Sequence, residues 1–359
     1  MGHGSWLLPH YRFLAMPFTP IRTARLLIRP MRLEDAEGLW RRRSDPEVAR
    51  YQNWALPYPR ERAEELVKSV VAMEGPANDE WWMAAIADPD TDEVVGDLAL
   101  HLGWESRSAE IGYTLAREHW GKGYAIEAAS DLVAYLFGTV GVTRVFGMLH
   151  PENPASAMVL ERLGMVFEGH TRSSFWVGDE VSDDWLYGMT RADWEAWRDR
   201  PRTPPTTVRL LQITADNWRE VVGLRTHKTQ ESMVATVERS LSQALVPPIG
   251  RDGGVAVPWY RAIEADGVIA GFVMVALDTA TRPDPYLWRF LVDRMHQRRG
   301  IGGRALGIVE AEMRSRGAKT IGVSYVVGKG GPAPFYAGRG YEPTGEVSDG
   351  ETVARKVLD

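Results

Sequence analysis

Two glycine-rich turns are the residues of this chain best suited to chemistry: Trp120-Gly121-Lys122-Gly123-Tyr124-Ala125 and Gln297-Arg298-Arg299-Gly300-Ile301-Gly302. Each stands between an apolar run with strand character and an apolar stripe with helical spacing. A glycine-rich turn that feeds a helix presents main-chain N–H groups, with the positive end of the helix dipole behind them. Small residues matter there because a Cβ keeps the backbone away from a ligand. The chemistry this supports is the holding of a phosphate or diphosphate, at two places. A plain turn is the alternative for either segment alone, and the duplication is what argues for function.

The repeat extends well beyond the turns. Arg25-Leu26-Leu27 recurs as Arg209-Leu210-Leu211, and Val94-Val95-Gly96 recurs as Ile269-Ala270-Gly271. Gly123 lies 41 residues before Gly164, and Gly300 lies 40 before Gly340. Four landmarks in one order at near-constant spacing predict duplication of a whole domain. Gly300-x-Gly302-x-x-Ala305 also imitates a dinucleotide fingerprint. That motif belongs in the first strand–helix turn of its domain, and this one comes far too late.

Composition narrows the classes. A chain of 359 residues with 44% hydrophobic and 25% charged residues suits two soluble globular domains. The net charge of −6 argues against a nucleic-acid partner and is compatible with a cationic amine. There are no cysteines, hence no disulfide, thiolate metal site or cysteine nucleophile. The eight histidines show no paired metal spacing, so no metal is expected. Residues 1–17 are broken by Pro9, His10 and Arg12 and read as a leader or tag, and nothing reaches the length of a membrane span. A cytoplasmic protein, monomeric or homodimeric, is expected.

The elements that must position the turns follow from periodicity. Strands are predicted at 25–30, 82–87, 94–101, 109–115, 142–149, 165–169 and 184–189, and helices at 33–43, 60–73, 153–163 and after the first turn. Arg198 to Thr206 carries Pro201, Pro204 and Pro205 and reads as a linker. The second half repeats the plan: strands at 207–213, 260–264, 268–276, 287–293 and 320–326, helices at 218–224, 232–244, after the second turn and around Phe335, then two closing strands. The domains are therefore 18–197 and 207–359. The expected fold is α/β, with mixed sheets covered by helices on both faces.

This order of elements, with these motifs, resembles the GNAT superfamily of acyl-CoA-dependent N-acyltransferases, in tandem, over nearly all of residues 20–359. The family's pyrophosphate loop reads Gln/Arg-x-x-Gly-x-Gly/Ala. The second copy matches with Gln297, Gly300 and Gly302; the first has Gly123 and Ala125 but Trp120 in place of Gln or Arg. Arg25-Leu26-Leu27-Ile28-Arg29-Pro30 and Asn153-Pro154-Ala155-Ser156 are similar to the ribosomal-protein N-terminal acetyltransferase branch. Arg289-Phe290-Leu291-Val292-Asp293 and Phe335-Tyr336 are similar to spermine/spermidine-type acetyltransferases.

The resemblance implies acetyl-CoA as donor, and a small-molecule amine or peptide N-terminus as acceptor that attacks the thioester directly. The N–H groups of Gly121, Lys122, Gly123, Tyr124 and Ala125, and of Arg298, Arg299, Gly300, Ile301, Gly302 and Gly303 after Gln297, would hold its pyrophosphate. Glu110 would be the base of the first domain, Ser156 its acid, with Asn153 positioning pantetheine. Asn153-Pro154 also reads simply as a helix cap. Tyr336 would be the acid of the second domain. Leu287 stands where Glu110 is expected and Leu160 where Tyr336 is expected, so with Trp120 the first half departs from the pattern twice and the second once. A non-catalytic acyl-CoA-binding protein, or an enzyme with one active half, is the alternative. Tyr51, Trp54, Tyr58, Phe175, Trp176 and Trp185 are expected around the acceptor of the first domain.

Overall fold

One strand plan is used twice. A computed structural model describes residues 16–247, 249, 254–279, 283–328 and 330–358. The leader expected over residues 1–17 lies outside these except for its last two residues. The contacts divide the chain between Arg198 and Asp199.

The first unit runs β1 (Ile21–Arg22), β2 (Leu27–Pro30), α1 (Ala36–Ser44), α2 (Pro46–Ala49), α3 (Arg60–Val71), β3 (Trp81–Ala87), β4 (Val94–Gly103), β5 (Ser108–Leu115), α4 (Tyr124–Tyr135), β6 (Arg144–Leu149), α5 (Pro154–Leu163), β7 (Val166–Val177), β8 (Glu180–Thr190) and α6 (Arg191–Asp199). The second runs β9 (Val208–Leu211), α7 (Trp218–Gly223), α8 (Val237–Leu245), β10 (Val257–Ala265), β11 (Val268–Leu277), β12 (Tyr286–Val292), α9 (Ile301–Ser315), β13 (Thr320–Tyr325), α10 (Ala333–Ala337), β14 (Glu342–Ser348) and β15 (Glu351–Val357). The sheets are ordered β1-β2-β3-β4-β5-β6-β8-β7 and β9-β10-β11-β12-β13-β15-β14. Every neighbouring pair is antiparallel except β5/β6 and β12/β13, where a helix carries the chain over and the strands run parallel.

Alternation on the strands distributes the core. On β11, Val273 and Val275 pack with α9 through Ala305 and Val309, whereas Phe272 and Met274 pack with α7 and α8 through Val221 and Val237. That is the period of two expected of a strand covered on both faces. In the first unit, Ala63, Val67 and Val70 of α3 and Ala128, Leu132 and Val133 of α4 are buried in one continuous core. These are the stripes a helical period of 3.6 places on one side.

The repeated glycines have a common steric cause. Gly96 faces Leu115 across β4/β5, and Gly271 faces Val292 across β11/β12. A Cβ on Gly96 would stand 2.4 Å from the Thr114 carbonyl oxygen, and one on Gly271 2.5 Å from that of Leu291. Backbone cannot rotate aside as a side chain can. Gly96→Ala or Gly271→Ala is therefore expected to destabilise its own unit by on the order of 3 kcal/mol, as overpacking of a rigid site does. Denaturant unfolding measures this, and an unchanged midpoint would refute it.

Several elements differ from the periodicity reading: β1 and α2 were not expected, and the strands expected over 165–169 and 184–189 are the longer β7 and β8. The helix expected over 232–244 begins only at Val237, where Thr236 Oγ1 accepts the Arg239 N–H at 3.4 Å. Helix α6 was not anticipated, being only nine residues long and carrying apolar side chains only at its tryptophans and alanines. Its Trp194 stacks on Phe137 at 5.2 Å, and its Trp197 indole donates to the Arg162 carbonyl at 3.2 Å. Tertiary contact rather than local periodicity makes this helix.

Candidate active site

In each unit the parallel strands part company soon after they meet. β5 and β6 share three register positions, from Ser108/Arg144 to Glu110/Phe146, although β5 continues to Leu115 and β6 to Leu149. β12 and β13 share two, Tyr286/Gly322 and Leu287/Val323. Beyond these points the strand edges diverge, and the glycine-rich turn stands at the open end of each wedge.

The turns have one conformation. Gly123 and Gly300 are the helix N-caps, with left-handed φ of 81° and 79°. Gly121 and Arg298, two residues earlier, are also left-handed, at 75° and 66°. This conformation suits glycine and costs a side-chain-bearing residue energy. Among the described residues the N–H groups of 121–123 and 298–300 donate to no other backbone group, and those of the first helical residues after them are the ones an α-helix leaves without an internal partner. Lys122 and Arg298 are exposed, whereas the Arg299 side chain is buried, donating from Nε to the Thr203 carbonyl at 2.8 Å and contacting His296 Nδ1 at 3.0 Å. Arg299 thus offers a ligand its main chain alone. A Cβ on Gly303 would meet the far end of the exposed Arg339 side chain, which can swing aside.

Trp120, the departure from the loop pattern, does the work of Gln297. The Trp120 indole Nε1 donates to the Leu115 carbonyl at 3.0 Å, and the Gln297 amide Nε2 donates to the Val292 carbonyl at 3.0 Å. Donor and acceptor are five residues apart in both cases, and the acceptor is the last residue of the strand. The turns are also buttressed with reversed polarity. In the first unit Arg25, ahead of β2, donates to Glu127 at 2.7 Å and to the Lys122 carbonyl at 3.0 Å. In the second, Arg304 at the place of Glu127 donates to the carbonyls of Pro205 and Thr206, ahead of β9. The repeated Arg209 instead pairs with Glu264.

The first unit has a cavity of about 760 Å³ on the flank of β5, lined by Glu110, Asp184, His150, Tyr51, Trp54, Tyr58 and Phe175 among others. A smaller space of about 80 Å³ in the strand wedge is lined by Asn153, Ser156, Leu160 and Tyr113 and shares the walls Ile111, Gly112, Met148 and Leu149 with it. The Glu110 side chain forms no hydrogen bond within the described residues. Burial, and then the charge of Asp184, hold its carboxyl above the ordinary carboxylate range. Asp184 is raised by its own burial against the opposing hydrogen bond from Ser174 at 2.9 Å. Asp97 in the same wall is neutralised by Arg42 at 2.6 Å. Glu110 and Asp184 thus bring two carboxyls without ion-pair partners among the described residues to a wall that Arg43, Arg50 and Arg62 also line. Trp176 and Trp185 do not join the other expected aromatics: Trp176 is 61% exposed, and Trp185 meets Phe167 edge-on at 5.5 Å.

Asn153 and Ser156 are brought together as a cap. Asn153 Oδ1 accepts the Ser156 N–H at 3.1 Å, and its amide donates to Ser156 Oγ at 3.2 Å, with Pro154 opening the helix. Tyr113 donates its hydroxyl to the Ser156 carbonyl at 2.8 Å, and burial pushes its pKa up. Tyr113 was not singled out by sequence reasoning, because an aromatic residue on a strand ordinarily reads as core.

The second unit has a cavity of about 370 Å³ along β12 and β13 that includes Tyr336, Leu287, Arg239, Arg289 and Glu351. Tyr336 stacks on Tyr325 at 5.5 Å, and burial pushes its pKa up, so it stays protonated across the neutral range. Leu160 and Tyr336 occupy corresponding places, each accepting at its carbonyl an N–H from five residues on, at 3.1 Å. Leu287 is buried, but Glu351, on the strand next to β13, brings a carboxylate to this cavity as Asp184 of β8 does to the first. Asp293 is occupied by the N–H groups of Arg225 and Met295. Among the described residues no group of three or more His, Asp or Glu gathers as a metal would require, and no helix is long and apolar enough to cross a membrane.

Residues 25–166 match the Acetyltransferase (GNAT) domain family, and residues 228–341 match the Acetyltransferase (GNAT) family. Among curated proteins, the chain is 33% identical over 175 residues to the uncharacterized N-acetyltransferase p20 of Bacillus licheniformis, covering 48% of this chain and 96% of that protein. It is 30% identical to the uncharacterized N-acetyltransferase YoaA of Bacillus subtilis, covering 48% and 98%. It is 26% identical over 113 residues to the [Ribosomal protein uS5]-alanine N-acetyltransferase of Escherichia coli, covering 31% and 58%. A GNAT-family acetyltransferase structure from Bacillus anthracis aligns at TM-score 0.43 and 26% identity, covering 48% of this chain and 98% of that one. The chain belongs to the GNAT acetyltransferases and carries two such domains in tandem. It is an N-acetyltransferase of the acetyl-CoA-dependent kind.

Proposed function

We propose that the chain moves an acetyl group to a primary amine by direct attack within a ternary complex, with the first domain's acceptor bound in the cavity beside Glu110. The observation that carries this reading is the unpaired, half-buried Glu110 in a cavity sharing its walls with the strand wedge. When bound, acetyl-CoA supplies an activated carbonyl and a thiol leaving group. The open N–H groups of residues 121–125 and 298–303 fit its diphosphate, and the wedges fit an extended pantetheine arm.

A primary amine is protonated near neutrality, with a pKa of about 10.4 for a lysine-like group and about 7.7–8.0 for an α-amine. Glu110 accepts that proton, and its raised pKa narrows the gap to the ammonium it must deprotonate. Glu110 and Asp184 also favour a cationic acceptor while it binds. The Ser156 hydroxyl, oriented by Asn153, holds a proton at the place of the departing sulfur. In the second domain Tyr336 does so. The name of the Escherichia coli relative places an alanine amino group among the acceptors of that protein, which supports a peptide N-terminus here beside small amines.

Calorimetric titration with acetyl-CoA tests this reading, and absence of binding would end it. Trp120→Phe, which removes the indole donor and keeps a ring, is expected to weaken acetyl-CoA binding to the first domain about fivefold, the worth of one hydrogen bond of ~1 kcal/mol. Trp120→Gln is expected to restore it. Equal affinities for all three chains would show that the Leu115 carbonyl needs no cap.

A further inference from the structure

The cavity of the second domain has basic side chains in its wall. Arg289 of β12 and Arg239 of α8 both line it. The Arg289 Nη1 donates to the Trp288 carbonyl at 2.7 Å and Nη2 to Gln243 Oε1 at 2.8 Å, while its Nε is buried with no partner. Among the described residues neither guanidinium has a carboxylate within ion-pair distance. Of the acids in its wall, Glu231 pairs with Lys228 at 2.7 Å, and Glu351, which accepts the Ser324 hydroxyl, acts on Arg289 through its charge without an ion-pair contact. A half-buried guanidinium held in place by two neutral acceptors, with three of its five N–H groups unspent, is a built receptor for an oxyanion, since its planar fork matches a carboxylate. The space of about 370 Å³ suits a compact molecule.

We propose that the second domain takes as its acceptor a small amine that also bears a carboxylate, of the amino-acid type, with the carboxylate held by Arg289 and Arg239. This rests on the reading of that domain as an acetyl-transfer site. The amine reaches the reaction neutral, having lost one proton to solvent. A C–N bond forms as the acetyl C–S bond breaks, and the nitrogen gives up a second proton. The sulfur takes a proton from the Tyr336 hydroxyl, which is replenished from the amine's second proton. The net change is one proton released for each acetyl group moved.

Thiol release from acetyl-CoA by the full chain, in a Glu110→Gln background, tests this with the common amino acids and their descarboxy amines as matched pairs. For at least one pair, kcat/KM is expected to be tenfold or more higher for the amino acid. Arg289→Gln is expected to lower that ratio roughly 10- to 100-fold, as loss of a charged hydrogen-bond donor does, and Arg289→Lys to lower it less. Arg239→Gln, on an exposed helix position, is expected to lower the ratio in a chain whose melting is unchanged, which guards against a folding defect at Arg289. Turnover of descarboxy amines as well as amino acids, or a preference that survives both Gln variants, overturns the inference and leaves the transferase reading intact. Absence of turnover with every acceptor, in a chain that binds acetyl-CoA, overturns both for this domain.

Discussion

Glu110→Gln is expected to lower kcat/KM of the first domain by roughly 10²- to 10³-fold, the range a general base contributes. The loss should lie in kcat more than in acetyl-CoA affinity, since Glu110 sits on the flank of the wedge away from the glycine-rich turn. The pH profile gives a sharper signature. Only the ionised carboxylate accepts a proton, so activity of the unmodified domain rises with pH through the Glu110 pKa, which burial and Asp184 place above the usual carboxylate value of about 4.3. The variant should lose that limb and keep only the rise set by the amine. Stability runs the other way. A carboxyl raised in the folded state contributes stability below its unfolded pKa and loses it as pH climbs through the folded value. Gln at this position is therefore expected to fold at least as well at neutral pH, which separates a catalytic loss from unfolding. Unchanged kcat/KM with a profile still rising through the same pKa would remove Glu110 from the chemistry.

Tyr336→Phe is expected to lower turnover by the second domain by about 10²-fold while leaving acetyl-CoA binding in place. The phenyl ring keeps the stacking on Tyr325 and the edge contact with Tyr341, so packing is preserved and the hydroxyl alone is lost. Stopped-flow thiol release, with product masses, measures it. The same pair of variants decides how labour is shared. Loss with Tyr336→Phe and not with Glu110→Gln would place chemistry in the second domain, and the converse in the first. Loss of separate products with each would show two active halves, in which Glu351 compensates for Leu287 and Ser156 for Leu160. Full activity in the double variant would show that neither Glu110 nor Tyr336 carries the chemistry.

The tandem plan could be read from order and spacing because local geometry dictates it. A left-handed residue ahead of a helix calls for glycine wherever it occurs, and so Gly123 and Gly300 are visible in any single stretch of chain. Gly96 and Gly271 repeat for a related reason, since no side chain fits beside the facing carbonyl. The Asn153-Pro154 cap was equally plain, its partners lying within three residues. The double occurrence of these signals pointed to two domains and two glycine-rich helix-start turns without any knowledge of distant contacts.

The charge of each cavity, by contrast, is a property of the folded sheet. Glu110 and Asp184 are 74 residues apart and meet because β8 lies beside β6. Arg289, Arg239 and Glu351 converge from β12, α8 and β15. Periodicity tells which side chains share a face of one strand, but not which strand becomes its neighbour or what then stands opposite. Trp120 and Arg304 make the same point on a smaller scale. Compared residue by residue with Gln297 and Glu127 they look like divergence. In space, Trp120 caps the carbonyl that a glutamine caps in the other half, and Arg304 and Glu127 fasten the same turn from opposite ends of a hydrogen bond. A backbone group needs only a partner of the right polarity at the right distance, and only the three-dimensional structure decides which residue supplies it.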